Sequence, residues 1–301
     1  MRYYSLNDYC KKTFGEKVYK LSLNGGMTCP NRDGSLSYTG CFYCSEGGSG
    51  DFASDSSLPI AAQLSEARRR LSSKTDCRKF IAYFQAFTNT YAPVEYLEKI
   101  FYEAISDPSV CVLSIGTRTD CFNDEIYDLL SRLNNIKPVW IELGLQSIHQ
   151  STLDAMNTHT KVSDFTVVCN ELNKRSIKVI AHLILGLPGE TKEMMLESVD
   201  FAAKSNIFGI KLQLLHVLRN TKLAELYEKD PFPLFSLEEY CDFIVDCIER
   251  LPPSMVIHRM TGDGPRKLLI APMWSTDKKR VLNTINQNLI KRNTYQGRFF
   301  M

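Results

Sequence analysis

Gly25-Gly26-Met27-Thr28-Cys29-Pro30-Asn31-Arg32-Asp33-Gly34, followed after a short polar stretch by Gly40-Cys41-Phe42-Tyr43-Cys44, decides how this chain is read. It comes directly after an alternating run, Lys17 to Leu23, that reads as a strand. The Gly, Pro, Asn and Asp around the cysteines mark an exposed turn rather than a core segment. Thiolates at the mouth of a strand are soft ligands, suited to zinc, copper(I) or iron–sulfur. Structural zinc sites and electron-transfer clusters take four protein ligands. Three close cysteines would leave one iron of a four-iron cluster open to something that is not protein. A zinc knuckle completed by histidine is the competing reading, but the first His after Cys44 is His149.

The 301 residues are 44% apolar and 23% charged, which fits one large α/β domain or a domain with an extension. No apolar run approaches the roughly 18 residues that span a bilayer, and Met1-Arg2-Tyr3-Tyr4-Ser5 leads into no apolar export segment. No membrane role is expected. Ten cysteines in such a chain point to a cytoplasmic, reducing location rather than a disulfide framework. Cys10, Cys77, Cys111, Cys121, Cys169, Cys241 and Cys247 form no C-x-x-C pair and read as packing residues. The net charge of +2 is unevenly spread. Residues 255–301 carry nine Lys or Arg against Asp263 and Asp277, a net +7 that leaves −5 for residues 1–254. With Trp274, Tyr295, Phe299 and Phe300, that segment has the make-up of a nucleic-acid contact, charge for phosphates and rings for stacking. A solvated helix face with a frayed end would have the same composition.

Beyond the cysteines, Ser45 to Asp51 is a flexible polar connection and Leu58 to Ser73 a helix. Strands then alternate with amphipathic helices. Phe80–Gln85, Val110–Ile115, Val139–Gly144, Lys178–Leu185 and Phe208–Leu214 read as strands. Between and after them, Val94–Ser106, Asp124–Leu133, Ser151–Asn157 with Asp164–Asn173, Lys192–Ser205, Leu223–Glu228 and Leu237–Leu251 read as helices. This order predicts a parallel sheet covered by helices. Six βα units suit an open six-stranded (β/α)6 partial TIM barrel over residues 1–254, with 255–301 a basic C-terminal extension packed on it. A doubly wound sheet is the alternative.

In either fold, ligands gather at the carboxyl ends of the strands, and this chain is polar there. Gln85 to Tyr91 follows the second strand, Gly116-Thr117-Arg118-Thr119-Asp120 the third, and Gln146-Ser147 the fourth. Arg118 and Asp120 could clamp a carboxylate and a ribose hydroxyl; a surface ion pair is the plainer reading. Glu142 lies within its strand and, if buried, needs a partner such as Arg118 or Lys211. After the fifth strand, Gly186-Leu187-Pro188-Gly189-Glu190-Thr191 shapes a sharp turn whose Glu190 or Thr191 caps the next helix. Lys211, Gln213 and Leu215 share one face of the sixth strand, and His216 reads as structural.

These segments, taken in order from about residue 5 to the end, resemble the radical S-adenosylmethionine (SAM) superfamily. The resemblance is to its Elongator-catalytic-subunit-like branch, in the bacterial YtqA/YhcC type. The eleven residues between Cys29 and Cys41 depart from the superfamily's commonest gap but match that branch. The resemblance implies a [4Fe–4S] cluster on Cys29, Cys41 and Cys44, with Tyr43 the aromatic before the last ligand and SAM on the open iron. It implies SAM contacts at Gln85, Thr88 and Asn89, at Arg118 and Asp120, and at Gln146 and Ser147. Many relatives carry an Arg-Gly pair where this chain has Asn157-Thr158-His159-Thr160-Lys161; Lys161 would replace that arginine as a point charge, without bidentate geometry.

The expected chemistry is generation of a 5′-deoxyadenosyl radical that takes hydrogen from an unactivated carbon, with an electron donor such as flavodoxin or ferredoxin. The implied substrate is tRNA, met by the basic segment and modified at the wobble uridine from carboxymethylaminomethyl to aminomethyl. The acetyltransferase part of Elongator proteins is not in this sequence, so acetyl-CoA-dependent carboxymethylation is not expected. The alternatives are a small-molecule or protein substrate, or a metal-stabilised RNA-binding or redox-sensing module.

Overall fold

Side chains along a strand alternate between two faces, and here one face meets helices while the other lines a lumen. The computed structural model describes residues 2–72, 76–262 and 264–300; Ser73 at the expected helix end and Asp263 in the expected extension lie outside them. The chain opens with helix α1 (Leu6–Phe14), then β1 (Tyr19–Leu23), α2 (Ile60–Ser72), β2 (Phe80–Phe84), α3 (Val94–Ser106), β3 (Val110–Thr117) and α4 (Asp124–Asn134). It continues with β4 (Val139–Gln146), α5 (Gln150–Ala155), α6 (Val162–Lys174), β5 (Lys178–Leu185), α7 (Lys192–Lys204) and β6 (Gly209–Leu214). The last part holds β7 (Val217–Leu218), α8 (Lys222–Lys229), α9 (Leu237–Arg250), β8 (Val256–Arg259), β9 (Leu269–Ala271) and α10 (Lys278–Lys291).

β1 to β6 pair in parallel and in chain order, and β8 adds beside β6, giving a curled open sheet of seven strands. The expected half-barrel is therefore present, with one strand more than the six read from sequence. The seventh comes from Val256–Arg259, inside the segment expected as an extension. β7 and β9 form a separate antiparallel ribbon.

Three layers fill the lumen. At the amino ends of the strands, Ile81, Val112, Trp140 and Ile180 pack on Tyr9 and Phe14 of α1 and on Phe208. Tyr9 meets Trp140 edge-on at 5.8 Å and Phe208 at 4.8 Å, a geometry that adds to burial. Two residues further along each strand sit Tyr83, Ser114, Glu142, His182 and Lys211, which are polar. Two further again come Gln85, Gly116, Gly144, Ile184 and Gln213 at the mouth. The outer face buries the larger apolar core against the helices.

The helix α1 had no counterpart in the sequence reading. Its ends are well specified: Ser5 and Asp8 form a capping box and Gly15 closes it at φ 80°. Thr191, not Glu190, caps α7 through its side chain.

Candidate active site

The cysteine loop leaves β1 at the lumen mouth and is held there by backbone bonds to the end of α5 and the start of α8. Phe42 N–H donates to the Met156 carbonyl (3.0 Å), and Leu223 N–H donates to the Phe42 carbonyl (2.9 Å). Asn31 Nδ2 donates to the Asn157 carbonyl (2.7 Å) and to Cys41 Sγ (3.4 Å), and Asn157 returns a bond to the Gly40 carbonyl (2.8 Å). Arg32 fixes the far side of the loop through the Cys44 and Ser45 carbonyls (3.1 and 2.7 Å).

Cys29, Cys41 and Cys44, all unpaired, line one cavity of about 250 Å³. The same cavity is lined by Tyr43, Gln85, Thr88, Arg118 and Gln146. A hydrogen bond from the Cys44 thiol holds the Cys41 thiol down at about 6 against the cost of its burial, and raises Cys44 in exchange. Among the described residues no three ligating side chains are gathered about one metal-ion position. A cubane cluster asks for something else, since each thiolate binds a different iron and the ligands stand further apart than around a single ion. The donor set, three thiols of one cavity with an amide N–H on Cys41, fits such a cluster.

Five of the eight residues expected to contact the cofactor are thus at the cavity, and three stand behind it. Asn89 is fully buried and donates to the Gly116 carbonyl (2.8 Å). Asp120 takes two bonds from Arg118 (2.8 and 2.7 Å), so the expected clamp is closed on itself. Burial disfavours the Arg118 charge, but Asp120 outweighs that and holds the guanidinium protonated. A further N–H of Arg118 meets the Thr158 carbonyl (2.9 Å). Ser147 turns away to bond Glu190, bracing the Gly186–Glu190 turn. Lys161 is exposed at the start of α6 and does not line the cavity; Arg118 occupies the position from which a cation faces the cysteines.

Gln146 carries the clearest sign of a built site. Its backbone adopts φ 63°, a costly value for a residue with a side chain. The pairing with β5 slips at that point, and its Nε2 lies 2.6 Å from where a Cβ at Gly144 would stand. A side chain at position 144 would push the Gln146 amide out of this fold-back. Its buried Oε1 has no hydrogen-bond partner, and the residue lines the cavity that holds the cysteines.

Below the mouth lies a charge network that sequence reading found only in part. Glu142, 1% exposed, binds Lys20 and Lys211, and accepts from Ser114 Oγ (2.7 Å) and His182 Nε2 (2.8 Å). Of the two partners expected for it, Lys211 is present and Arg118 is not. Burial alone would raise its carboxyl; the two lysines hold it well below the usual range. Burial and Lys211 push His182 down to about 4, so the ring is neutral near pH 7 and its Nε2–H donates. Tyr83 lies beneath both lysines, whose Nζ atoms sit 4.3 and 4.7 Å from its ring centre. Lys20, Tyr83, His182 and Arg259 were not singled out from sequence, although the period-two parity that put Lys211 and Gln213 on one face would have found His182. His216 lines the cavity with its ring against Gly262 and Gly264, where any Cβ would collide.

The basic segment does not form one surface. Arg259 lines the cavity. On α10, which lies along α9, Arg280 stands near Glu238 (3.8 Å) at one end. Arg292 binds Asp242 and Asp246 (3.2 and 2.5 Å) further down. The chain after α10 folds under the sheet, where Gln296 Nε2 donates to the Met255 carbonyl (2.8 Å) just before β8. Tyr295 and Phe299 are exposed at that lower end, away from the mouth. No helix among the described residues is long and apolar enough to cross a membrane.

Comparison with known proteins follows the same lines. A model of the radical SAM superfamily matches residues 28–202, and one of the Radical_SAM C-terminal domain matches residues 207–291. The chain is 42% identical over 299 residues to the uncharacterised protein YtqA of Bacillus subtilis, covering 99% of this chain and 93% of that one. It is 33% identical over 268 residues to YhcC of Escherichia coli, covering 89% and 85%. More distantly, it is 26% identical over 169 residues to a tRNA uridine(34) acetyltransferase of Methanocaldococcus jannaschii, covering 53% of this chain and 30% of that protein. In structure it resembles Methanocaldococcus infernus Elp3, with TM-score 0.70 and 17% identity over 93% of this chain. It spans 64% of that chain, less than two thirds of its length.

Proposed function

The chain belongs to the radical SAM superfamily, and on that premise we propose that it is a tRNA-modifying member that converts the wobble-uridine side chain from carboxymethylaminomethyl to aminomethyl. Cys29, Cys41 and Cys44 would hold the [4Fe–4S] cluster and leave its fourth iron to SAM. When bound, these groups supply a 5′-deoxyadenosyl radical able to remove hydrogen from an unactivated carbon.

The chain's own residues position and shield. The buried wall of the mouth keeps out water and stray hydrogen donors. Gln146 offers a neutral acceptor to an ammonium or hydroxyl group, and Thr88 a hydroxyl at the same rim. Arg118, locked by Asp120, sets a fixed positive field beside the cysteines. A flavodoxin or ferredoxin is the proposed electron donor. Of the basic segment, Lys278 to Arg280 lie at the end of α10 nearer the mouth and are the proposed tRNA contacts.

The observation that carries the reading is the three-cysteine loop placed at the strand ends above a polar lumen. The tRNA assignment is supported by the relatedness to a tRNA uridine(34) acetyltransferase and by the Elp3-like fold. Anaerobic reconstitution with iron and sulfide, then dithionite, SAM and bulk tRNA, tests it. The expected result is 5′-deoxyadenosine together with loss of carboxymethylaminomethyluridine and gain of aminomethyluridine by mass spectrometry. 5′-Deoxyadenosine without change in the tRNA moves the substrate to a small molecule or protein. A full cluster with no cleavage of SAM overturns the enzyme reading.

A further inference from the structure

Asn31 is fully buried two residues after Cys29, in the turn that opens the cysteine loop. Its carbonyl accepts from Gly40 N–H (2.7 Å), which closes the base of the eleven-residue gap and brings Asn31 beside Cys41. One side-chain N–H then goes to the Asn157 carbonyl (2.7 Å) and the other to Cys41 Sγ (3.4 Å). The orientation of the amide is forced, since the reverse would set its oxygen against the Asn157 oxygen. The cost falls on Oδ1, which is buried without a partner. Stitching the loop does not account for that cost. Phe42 N–H and the Asn157 side chain already tie the loop to residues 156 and 157, and a leucine would fill the same space with no orphaned oxygen. What leucine cannot supply is an N–H on sulfur. Cys44 meets the Ser49 hydroxyl (3.6 Å), and among the described residues Cys41 is the one cysteine of the three with a side-chain amide on its sulfur.

We propose that Asn31 is a positioning residue that raises the reduction potential of the cluster through Cys41. This rests on the reading of Cys29, Cys41 and Cys44 as the cluster ligands. Reduction adds one electron, here from the flavodoxin or ferredoxin, and leaves more negative charge on the thiolate sulfurs. An N–H aimed at one of them favours the reduced form. The amide cannot swing away, because its other N–H is held by Asn157. The long gap between the first two cysteines acquires a purpose: it lets a residue next to the first ligand return onto the second.

The test is a redox titration of the reconstituted protein without SAM, followed by electron paramagnetic resonance of the reduced cluster. Asn31→Leu removes the N–H and nearly keeps the volume. Asn157→Gly is the control. It cuts the Asn157 side-chain bonds to Thr39 and Gly40 but leaves the carbonyl that orients Asn31, and glycine accepts the φ of 55° there. At a fixed potential, Asn31→Leu should shift the ratio of oxidised to reduced cluster roughly tenfold, a midpoint lower by about 59 mV, while Asn157→Gly stays within about twofold of the wild type. An unchanged midpoint in Asn31→Leu, or an equal fall in Asn157→Gly, overturns the inference. A second readout needs no variant. With asparagine labelled by 15N at the side-chain amide alone, the reduced wild-type cluster should show a 15N coupling. Absence of that coupling overturns the inference, even where Asn31→Leu takes up no cluster. Failure of the ligand reading looks different: a wild type that takes up no iron and sulfide overturns that reading, and this inference falls with it.

Discussion

At the amino ends of the strands, Ile81, Val112, Trp140 and Ile180 meet α1 in a closed aromatic layer. At the carboxyl ends of the same strands, Asn31, Thr119 and Gln146 keep buried oxygens without partners. The lower end has orphan groups too: Asn7 Oδ1 on α1, and the ring nitrogens of Trp140 and His258, whose rings meet edge-on at 5.5 Å and so have a weak substitute. Backbone conformation divides the same way. Below, positive φ falls on Ser176 and Asn206 just after helices, where small polar residues tolerate it. Above, it falls on tolerant Asn157 and Asn220 as well, but also on Phe87 and Gln146, which adopt it at a cost. One end of each strand is spent on stability and the other is held ready for a ligand. Between them lies the Glu142 layer, a buried carboxylate paired with Lys20, Lys211 and His182.

The comparison is tested most severely by Cys41→Ala. It should abolish the cluster chromophore and SAM cleavage, while chemical denaturation of the cofactor-free protein shifts by under about 1 kcal/mol. A large loss of stability there would erase the division. Trp140→Ala should do the reverse, lowering unfolding free energy by about 3–5 kcal/mol, with folded protein still assembling a cluster of normal absorbance. The middle layer should respond to pH. His182 titrates near 4 in the folded chain against about 6.5 when unfolded. The unfolded state therefore binds the extra proton between those values, and stability should fall as pH drops from 6.5 towards 4, by up to about 3 kcal/mol. His182→Gln keeps a donor for Glu142 and should flatten that acid limb in denaturation curves at pH 7 and pH 4.5. The smallest effect belongs to Ser5→Ala, which removes the α1 cap and should cost about 1 kcal/mol in thermal or chemical unfolding, without altering SAM cleavage.

The sequence was most legible where residue type and spacing leave few physical solutions. The cysteine loop, the βα alternation and the lumen parity of Lys211 are of that kind. α1 was readable but unread: Ser5, Asp8 and Gly15 are all cap signals, yet nine residues with a single fully buried side chain, Cys10, show little apolar periodicity. β8 is four residues long after two prolines, too short for alternation to show, and its place depends on the open edge left by β6. At the strand ends the obstacle is different. Gln146 and Ser147 are adjacent, polar and equally able to meet a ligand, but the backbone at φ 63° sends one into the cavity and the other to Glu190. Nothing in residue type separates a group that touches a ligand from the group that holds it. Arg118 and Asp120 were read as two contacts, and the plainer ion-pair reading describes what they form.

Phe42 sits between the Met156 carbonyl and the Leu223 amide, so the loop from the first strand is stitched to the end of α5 and to the start of α8. Cys41 and Cys44 flank that stitch. A cluster held by the flanking thiols would brace both of these distant loops. Oxidative loss of iron would slacken the rim on both sides at once, so damaged molecules should announce themselves to proteases at residues 156–160 and 219–223 while the sheet beneath stays whole.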